Sequence, residues 1–190
     1  MYCLVDYNTN IQMTDIFDEV ELLTVTYKSE YIINHCLSNI NENFKITIVE
    51  NSNDIYFKEK LEQRKNTKCI LTGKNLGFGS AFNIGAKSIK KKYILHFNPD
   101  AMINDEIIHE MYKLAKNVEF AIISVIESNE DTKVILSDKV KLRKVESVKR
   151  FVMFIDNYEC METNYFDENF FLYLEEIDLC KRLQQKSKNI

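Results

Sequence analysis

Residues 73–85 read GKNLGFGSAFNIG and hold all four glycines of the chain, and the sole proline, Pro99, follows shortly after. In a chain this poor in glycine, the glycines mark positions that need φ > 0 or a backbone approach that a Cβ would block. The stretch lies between two apolar runs, residues 69–71 and 93–97, and the second run ends in an Asn-Pro-Asp turn at 98–100. A glycine turn that opens a helix, followed by a strand that ends in a carboxylate, can hold a phosphate-bearing ligand and its metal. The alternative interpretation of residues 73–100 is purely structural: the glycines form the start of a helix, and the Asn-Pro-Asp residues form a tight turn.

Length and composition indicate a single globular domain. A chain of 190 residues buries about 70% of its unfolded surface, and 45% hydrophobic with 28% charged residues is ordinary for a soluble protein. No apolar run approaches the ~20 residues that span a bilayer, and the first residues lack the basic region of a signal peptide. We therefore expect a cytoplasmic protein with a domain over residues 20–190 and an N-terminal extension over 1–19.

Charge and cysteine content exclude some classes of protein. A net charge of −4 argues against nonspecific nucleic-acid binding. The five cysteines are odd in number and show no CxxC spacing, which predicts reduced, packed thiols instead of disulfides or a zinc site. Residues 139–150 contain six basic residues and one acid. This run is a solvated face, a membrane-surface patch or a contact for an anionic substrate, and its composition favours the first.

Hydrophobic periodicity predicts alternating strands and helices up to residue 126. The predicted strands are 20–27, 45–50, 68–72, 93–98 and 120–126. The predicted helices are 30–40, 54–64, one that runs from residues 73–85, called here the glycine window, to residue 90, and one that starts at 104 or 105. Such alternation with short links predicts an α/β fold with an open, mostly parallel sheet and helices on both faces. After residue 126 we expect strands at 133–137 and 151–156, and then a helix in the second half of 164–182.

The glycine window does not match either of two familiar phosphate-binding motifs, the dinucleotide fingerprint and the P-loop. Phe82 stands where the dinucleotide fingerprint needs its third glycine, and Asn75 stands where a P-loop needs serine or threonine. The three histidines form no metal-ligand pair. A nicotinamide enzyme or a P-loop kinase is therefore disfavoured.

Polar residues follow four of the predicted parallel strands. They are residues 26–27, 50–51, 73–79 and 98–100, and parallel strands bring them to one edge, where open sheets of this class bind ligands. Asp100 offers a hard oxygen ligand to Mg²⁺ or Mn²⁺.

A second acidic cluster, Glu175, Glu176 and Asp178, opens the last predicted helix. Acids in a first turn are stabilised by the helix dipole, and Asp178 pairs with Arg182 at i,i+4 spacing, so a structural role suffices to explain them. The functional interpretation is a general base beside the ligand.

The assembled pattern resembles the family 2 glycosyltransferases with a GT-A fold, in particular their rhamnosyltransferase-like branch. The matching segments are VTYKS at 25–29, IVENS at 48–52, NLGFGSAFNIG at 75–85, FNPDA at 97–101, and FDENFF from 166 onward through Arg182. They occur in the family's order over about residues 20–182.

The resemblance implies inverting transfer of a sugar from a dTDP- or UDP-linked donor to a saccharide or lipid-linked acceptor in bacterial polysaccharide biosynthesis. It places donor contacts at Thr26, Tyr27, Glu50, Asn51, Asn75, Gly77, Phe78, Asn83 and Asn98. It places a divalent metal, Mg²⁺ or Mn²⁺, at Asp100. It makes Glu176 the base that deprotonates the acceptor, with Glu175 and Asp178 as supporting neighbours.

The chain departs from the family's pattern in four places. The segment before Phe166 lacks the glycine-containing acceptor strand that is common there. Glu50 and Glu176 each stand where aspartate is usual, and the chain ends at residue 190 without the family's usual closing segment. These departures keep open a non-catalytic module that binds a nucleotide or a partner chain, whereas a nucleotidyltransferase is disfavoured because the glycine window lacks a basic, glycine-rich loop. Because acceptors in this family are often lipid-linked, the resemblance also keeps open a contact of residues 139–150 with the inner face of the membrane.

Overall fold

The computed structural model describes residues 13–125, 142 and 144–190 and contains one six-stranded sheet of order β3-β2-β1-β4-β6-β5. The strands are β1 Val20–Thr26, β2 Ile46–Glu50, β3 Thr67–Leu71, β4 Tyr93–Phe97, β5 Ile122–Ser124 and β6 Val152–Asp156. The helices are α1 Met13–Glu19, α2 Glu30–Leu37, α3 Ile55–Leu61, α4 Phe78–Ser88, α5 Asp105–Asn117, α6 Asn157–Met161 and α7 Glu175–Gln185.

The first four strands are parallel, as the alternation of elements predicts. Strand β1 lies between β2 and β4, with Leu22 opposite Ile46 of β2 and Val20 opposite Tyr93 of β4. Strand β3 pairs with the other side of β2. Because all four strands run the same way, the polar residues that follow them share one edge of the sheet, called here the C-terminal edge.

Strand β6 runs against this direction. It pairs antiparallel with β4, and β5 pairs antiparallel with β6 at the edge of the sheet. The predicted strand over 151–156 is thus confirmed, whereas β5 is separated from the parallel set by β6. Because β6 is reversed, it begins at the C-terminal edge. The strand predicted over 133–137 lies outside the described residues.

Helices cover both faces of the sheet, which confirms the predicted α/β architecture. Helices α1, α2, α3 and α5 contribute to one apolar core, and α4, α6 and α7 contribute to the other. Within β1, Leu22 faces the first core and Leu23 the second, because side chains alternate along a strand. Two helices, α1 and α6, were not predicted. The side chain of Ile16 is fully buried, so α1 packs on the domain although its residues fall in the predicted extension.

Local signals place several helix starts correctly. Asp54 and Asn104 cap α3 and α5 by accepting hydrogen bonds from the amides of Phe57 and Ile107. The cysteines at 36, 69, 160 and 180 are buried free thiols. Over residues 13–125, 142 and 144–190, every helix is too short or too polar to span a bilayer.

Candidate functional site

The ends of β1 and β2 bring Thr26 and Glu50 into direct contact. Thr26 Oγ1 donates a 2.8 Å hydrogen bond to Glu50 Oε2, and the hydroxyl of Ser52 donates to the other carboxylate oxygen. Glu50 is almost fully buried, and its two donors satisfy the carboxylate. Tyr27 follows directly and keeps 44% of its surface exposed at this edge, with Lys28 Nζ 5.4 Å from the centre of its ring.

The side chain of Asn51 organises the turn that follows β3. Its Oδ1 accepts a 3.0 Å hydrogen bond from the amide of Leu76, and its Nδ2 donates to Asn75 Oδ1 at 3.0 Å and to the Gly77 carbonyl at 3.1 Å. The Asn75 oxygen in turn accepts from the Gly77 amide at 3.0 Å. Two of the predicted donor contacts, Asn51 and Asn75, therefore shape the turn in this structure, and their contact with a donor stays a prediction.

Gly77 makes the close backbone approach that the glycine window predicts, and the segment that approaches it is a later part of the same chain, around Phe171. Its φ is +81°, and a Cβ there would lie 2.2 Å from the carbonyl oxygen of Phe171. The amide of Phe78, at the start of α4, donates to that same oxygen at 3.0 Å. The start of α4 is therefore capped by residue 171, and this amide is engaged within the protein.

Asn83, about one turn further along α4, forms hydrogen bonds with residues 166 and 168, which precede Phe171 in the chain. Its Nδ2 donates to the Phe166 carbonyl at 2.8 Å and to Glu168 Oε1 at 3.2 Å, and its Oδ1 accepts from the Phe166 amide at 3.1 Å. Asn83 is almost fully buried. In this structure it positions residues 166–168, and its predicted role toward a donor stays untested.

The turn after β4 presents Asp100 to solvent. The Asn98 carbonyl accepts from the Ala101 amide at 2.9 Å, and the thiol of Cys36 donates to the Ala101 carbonyl at 3.0 Å. Asp100 itself is exposed. In the part of the chain that the structure describes, no group of three His, Cys, Asp or Glu side chains could hold a metal. A single exposed carboxylate fits Mg²⁺ or Mn²⁺ when phosphate oxygens and water supply the other ligands.

The start of α7 places three carboxylates in different surroundings. Glu175 is fully buried and lies 3.2 Å from Arg150 Nε. Burial raises the pKa of Glu175 above its ordinary value, and the charge of Arg150 acts against that rise. Glu176 is half-buried, and its Oε2 atom is buried without a hydrogen-bond partner among the described residues. Such an unpaired buried oxygen can accept a hydrogen bond from a ligand.

Asp178 has a structural task in this arrangement. Its carboxylate lies 2.7 Å from Arg182 Nε, and the same guanidinium donates to the carbonyls of Thr163 and Tyr165 at 2.7 and 2.6 Å. The pair therefore ties α7 to the chain before residue 166. The supporting role predicted for Asp178 beside Glu176 stays a prediction.

Two contacts hold the start of α7 near the end of β4. The Asn98 amide donates to the Phe151 carbonyl at 2.8 Å, and the preceding residue, Arg150, pairs with Glu175. Residues 150 and 151 thus link the turn that carries Asp100 to the helix that carries Glu176. The C-terminal edge therefore collects the predicted site residues from β1, β2, β4 and α7 on one side of the molecule.

Sequence reasoning missed Arg150, whereas it placed His96 inside a strand and favoured a structural role for it. Arg150 was treated as one of six basic residues in a run, and only its place directly before a buried strand distinguishes it. His96 is fully buried, and its Nδ1 lies 3.0 Å from the Leu23 carbonyl. Its ring makes T-shaped contacts with the rings of Phe78 and Phe82. Burial lowers the pKa of His96 to about 4, so this ring is neutral at pH 7.

Two curated relatives resemble the chain along most of its length. The low-salt glycan biosynthesis hexosyltransferase Agl10 of Haloferax volcanii is 26% identical over 213 residues, which cover 100% of this chain and 69% of the relative. The rhamnosyltransferase WbbL of Escherichia coli is 25% identical over 202 residues, which cover 86% of this chain and 76% of the relative.

Solved structures show the same fold. S. aureus TarS 1-349 superposes with a TM-score of 0.68 at 14% identity over 87% of this chain. The mannosyltransferase PcManGT from Pyrobaculum calidifontis, in complex with GDP-Man and Mn²⁺, gives a TM-score of 0.68 at 11% identity over 90% of this chain. The chain spans about half the length of these two, 55% and 53%. Their similarity identifies the six-stranded α/β sheet as a GT-A fold.

The family profile described as Glycosyl transferase family 2 matches residues 22–178, from the first parallel strand to the acidic start of α7. The chain therefore belongs to glycosyl transferase family 2.

Proposed function

We propose that this domain catalyses inverting transfer of a sugar from a nucleoside-diphosphate sugar to a hydroxyl group of a saccharide or lipid-linked saccharide acceptor. The observation that carries the proposal is Glu176, a carboxylate with one buried, unpartnered oxygen on the sheet edge that also presents Asp100. A carboxylate so placed can accept the proton of an attacking hydroxyl.

The names of similar proteins support this class of reaction. Agl10 is a hexosyltransferase of glycan biosynthesis, and WbbL is a rhamnosyltransferase. TarS has been crystallised with UDP and with UDP-GlcNAc, and PcManGT with GDP-Man. A nucleoside-diphosphate sugar is therefore the substrate class that we propose for this chain, with the base and the sugar left open.

In the proposed mechanism, Glu176 takes the proton of the acceptor hydroxyl as its oxygen attacks the anomeric carbon. The bond from that carbon to the diphosphate oxygen breaks, and the electron pair leaves with the nucleoside diphosphate. A single displacement from the opposite face inverts the configuration. Asp100 would hold a divalent ion against the diphosphate, and such an ion supplies positive charge that stabilises the leaving group.

A non-catalytic nucleotide-binding module is the second candidate, and one observation favours it. The Phe78 amide at the start of α4, a position that often binds phosphate, donates instead to the Phe171 carbonyl. A module of this kind would bind a nucleoside diphosphate and produce no transfer with any donor and acceptor.

The test compares Glu176→Gln and Asp100→Asn with Glu59→Gln, an exposed glutamate on α3 that serves as the control. Transfer and donor hydrolysis are measured with Mn²⁺ or Mg²⁺ over a panel of UDP-, dTDP- and GDP-sugars. Loss of the base should lower turnover by about 10²-fold or more, because general-base catalysis contributes 10²- to 10⁴-fold. Asp100→Asn should raise the metal concentration needed for half-maximal rate, and Glu59→Gln should behave as wild type. Wild-type turnover in Glu176→Gln would overturn the proposed role of Glu176.

A further inference from the structure

Arg150 lies two residues before β6 begins, and its guanidinium contacts the start of two helices. Its Nε is 3.2 Å from Glu175 Oε1 at the start of α7, and its Cζ lies 4.5 Å from the centre of the Phe78 ring at the start of α4. The ring of Tyr173, in the turn before α7, lies 5.8 Å from the same carbon. Only 19% of the Arg150 side chain is exposed, so its contacts with Glu175 and Phe78 are largely withdrawn from water.

Glu175 depends on this arginine. It is fully buried, and neither of its carboxylate oxygens accepts a hydrogen bond within the described part of the chain. A buried carboxylate that loses its counter-charge is strongly destabilised, because desolvation is no longer offset by an opposite charge. Arg150 is the cation that faces it, so the position of Glu175 follows the position of this guanidinium.

The start of α7 lacks the usual means of fixing a helix. Tyr173 and Leu174 adopt φ values of 70° and 72°, and Leu174, at the N-cap position, makes no side-chain capping bond. Left-handed backbone costs about 1–2 kcal/mol for each residue that has a Cβ. An unfavourable turn without a cap needs contacts from elsewhere, and Arg150 supplies them to the residues on both sides of Leu174.

We propose that Arg150 is a positioning residue, which holds Glu175 and the first turn of α7 so that Glu176 stays at the C-terminal edge of the sheet. The inference rests on the proposed function to the extent that Glu176 is the base. Glu176 follows Glu175 directly in one helical turn, so a shift of Glu175 moves the carboxylate of Glu176 as well. A misplacement of about 1 Å can cost ~10²-fold in rate.

The kinetic test uses Arg150→Met, Arg150→Lys and the double variant Arg150→Met/Glu175→Gln. The matched control is Arg64→Met, because Arg64 is a partly buried arginine at the opposite sheet edge that donates to the carbonyls of Ile40 and Asn41. We expect Arg150→Met to lower kcat by about tenfold or more while the KM for the donor changes by less than about twofold. Arg150→Lys and the double variant should each recover part of kcat, since one keeps the charge and the other removes the unpaired buried carboxylate. Arg64→Met should lower Tm and leave kcat unchanged.

A second readout separates this inference from the function on which it rests. The Asp178 amide donates to the Leu174 carbonyl at 3.0 Å and reports on the first turn of α7 through its hydrogen exchange. This exchange should accelerate in Arg150→Met by about tenfold more than in Arg64→Met, even if Glu176→Gln proves fully active and the proposed base is wrong. If Arg150→Met does not fold, Arg150→Lys and Glu175→Gln replace it. Unchanged exchange at Asp178, or a raised donor KM with unchanged kcat, would overturn the positioning role.

Discussion

Gly73 and Gly77 show how one residue type serves two physical needs in the same turn. Both adopt positive φ, +78° and +81°. A Cβ at Gly73 would meet nothing within 4 Å, whereas a Cβ at Gly77 would lie 2.2 Å from the Phe171 carbonyl oxygen. Glycine is therefore needed at position 73 only because of the positive φ. At position 77 the missing Cβ also leaves room for residue 171 to approach.

This difference predicts unequal effects of the same substitution. Gly73→Ala should lower the free energy of unfolding by about 1–2 kcal/mol, the cost of left-handed backbone in a residue with a Cβ. Gly77→Ala should cost about 1–3 kcal/mol more, because the backbone of residue 171 has to move. Urea denaturation of both variants measures the difference. Equal losses would show that residue 171 does not lie against Gly77.

The sequence predicted that these glycines mattered and could not predict what approaches them. Positive φ and close approach follow from the missing Cβ, which is a local property. The partner at Gly77 is residue 171, 94 positions later in the chain, and one sequence carries no signal for such a pairing. The same limit applies to Asn51, Asn75 and Asn83, whose polar side chains were predicted at the site and are engaged with the backbone or with one another.

At the scale of elements, the segment over residues 164–174 is held against α4 by apolar packing at its start and by a small number of hydrogen bonds along its length. Asn83 bonds both backbone groups of Phe166, and the Phe78 amide bonds the Phe171 carbonyl. Four consecutive apolar side chains in this segment, Phe171, Leu172, Tyr173 and Leu174, stay 44–67% exposed. Burial of these four side chains therefore contributes little to fixing residues 171–174. The start of the segment differs, because Phe166 is buried and its ring packs against the rings of Phe78 and Phe82 in α4.

Removing the Asn83 side chain should consequently loosen the segment. Asn83→Ala leaves the buried amide and carbonyl of Phe166 without partners, which should cost about 2–3 kcal/mol of unfolding free energy. The Phe166 amide should also exchange faster. Asn117→Ala is the control, because Asn117 is exposed and makes a single bond to the Lys113 carbonyl. A loss no larger than that of the control would contradict this account of the segment.

Periodicity predicted the elements more reliably than their arrangement. The four parallel strands, their helices and the caps at Asp54 and Asn104 follow from alternation and local capping signals. The reversed direction of β6 does not, because strand direction depends on the path of the connection and not on the residues of the strand. Helix α6 is only five residues long, too short for a periodic pattern to identify.

At the scale of the molecule, the parallel strands, reversed β6 and α7 meet at one edge. Strand β6 starts where β4 ends. Of the two residues before β6, Phe151 accepts a hydrogen bond from the Asn98 amide and Arg150 pairs with Glu175. The carboxylates of Asp100 and Glu176 therefore belong to one edge although 76 positions separate them in the chain. This arrangement is the physical basis of the proposed transfer reaction.

The most direct test of that claim is an amide NMR titration of the protein with UDP, dTDP and GDP, with and without Mg²⁺. The account predicts that one nucleoside diphosphate shifts the resonances of residues 26–28, 98–101 and 175–178 together, at a common dissociation constant. Shifts confined to other surfaces, or shifts at 98–101 that leave 175–178 unmoved at saturation, would contradict it.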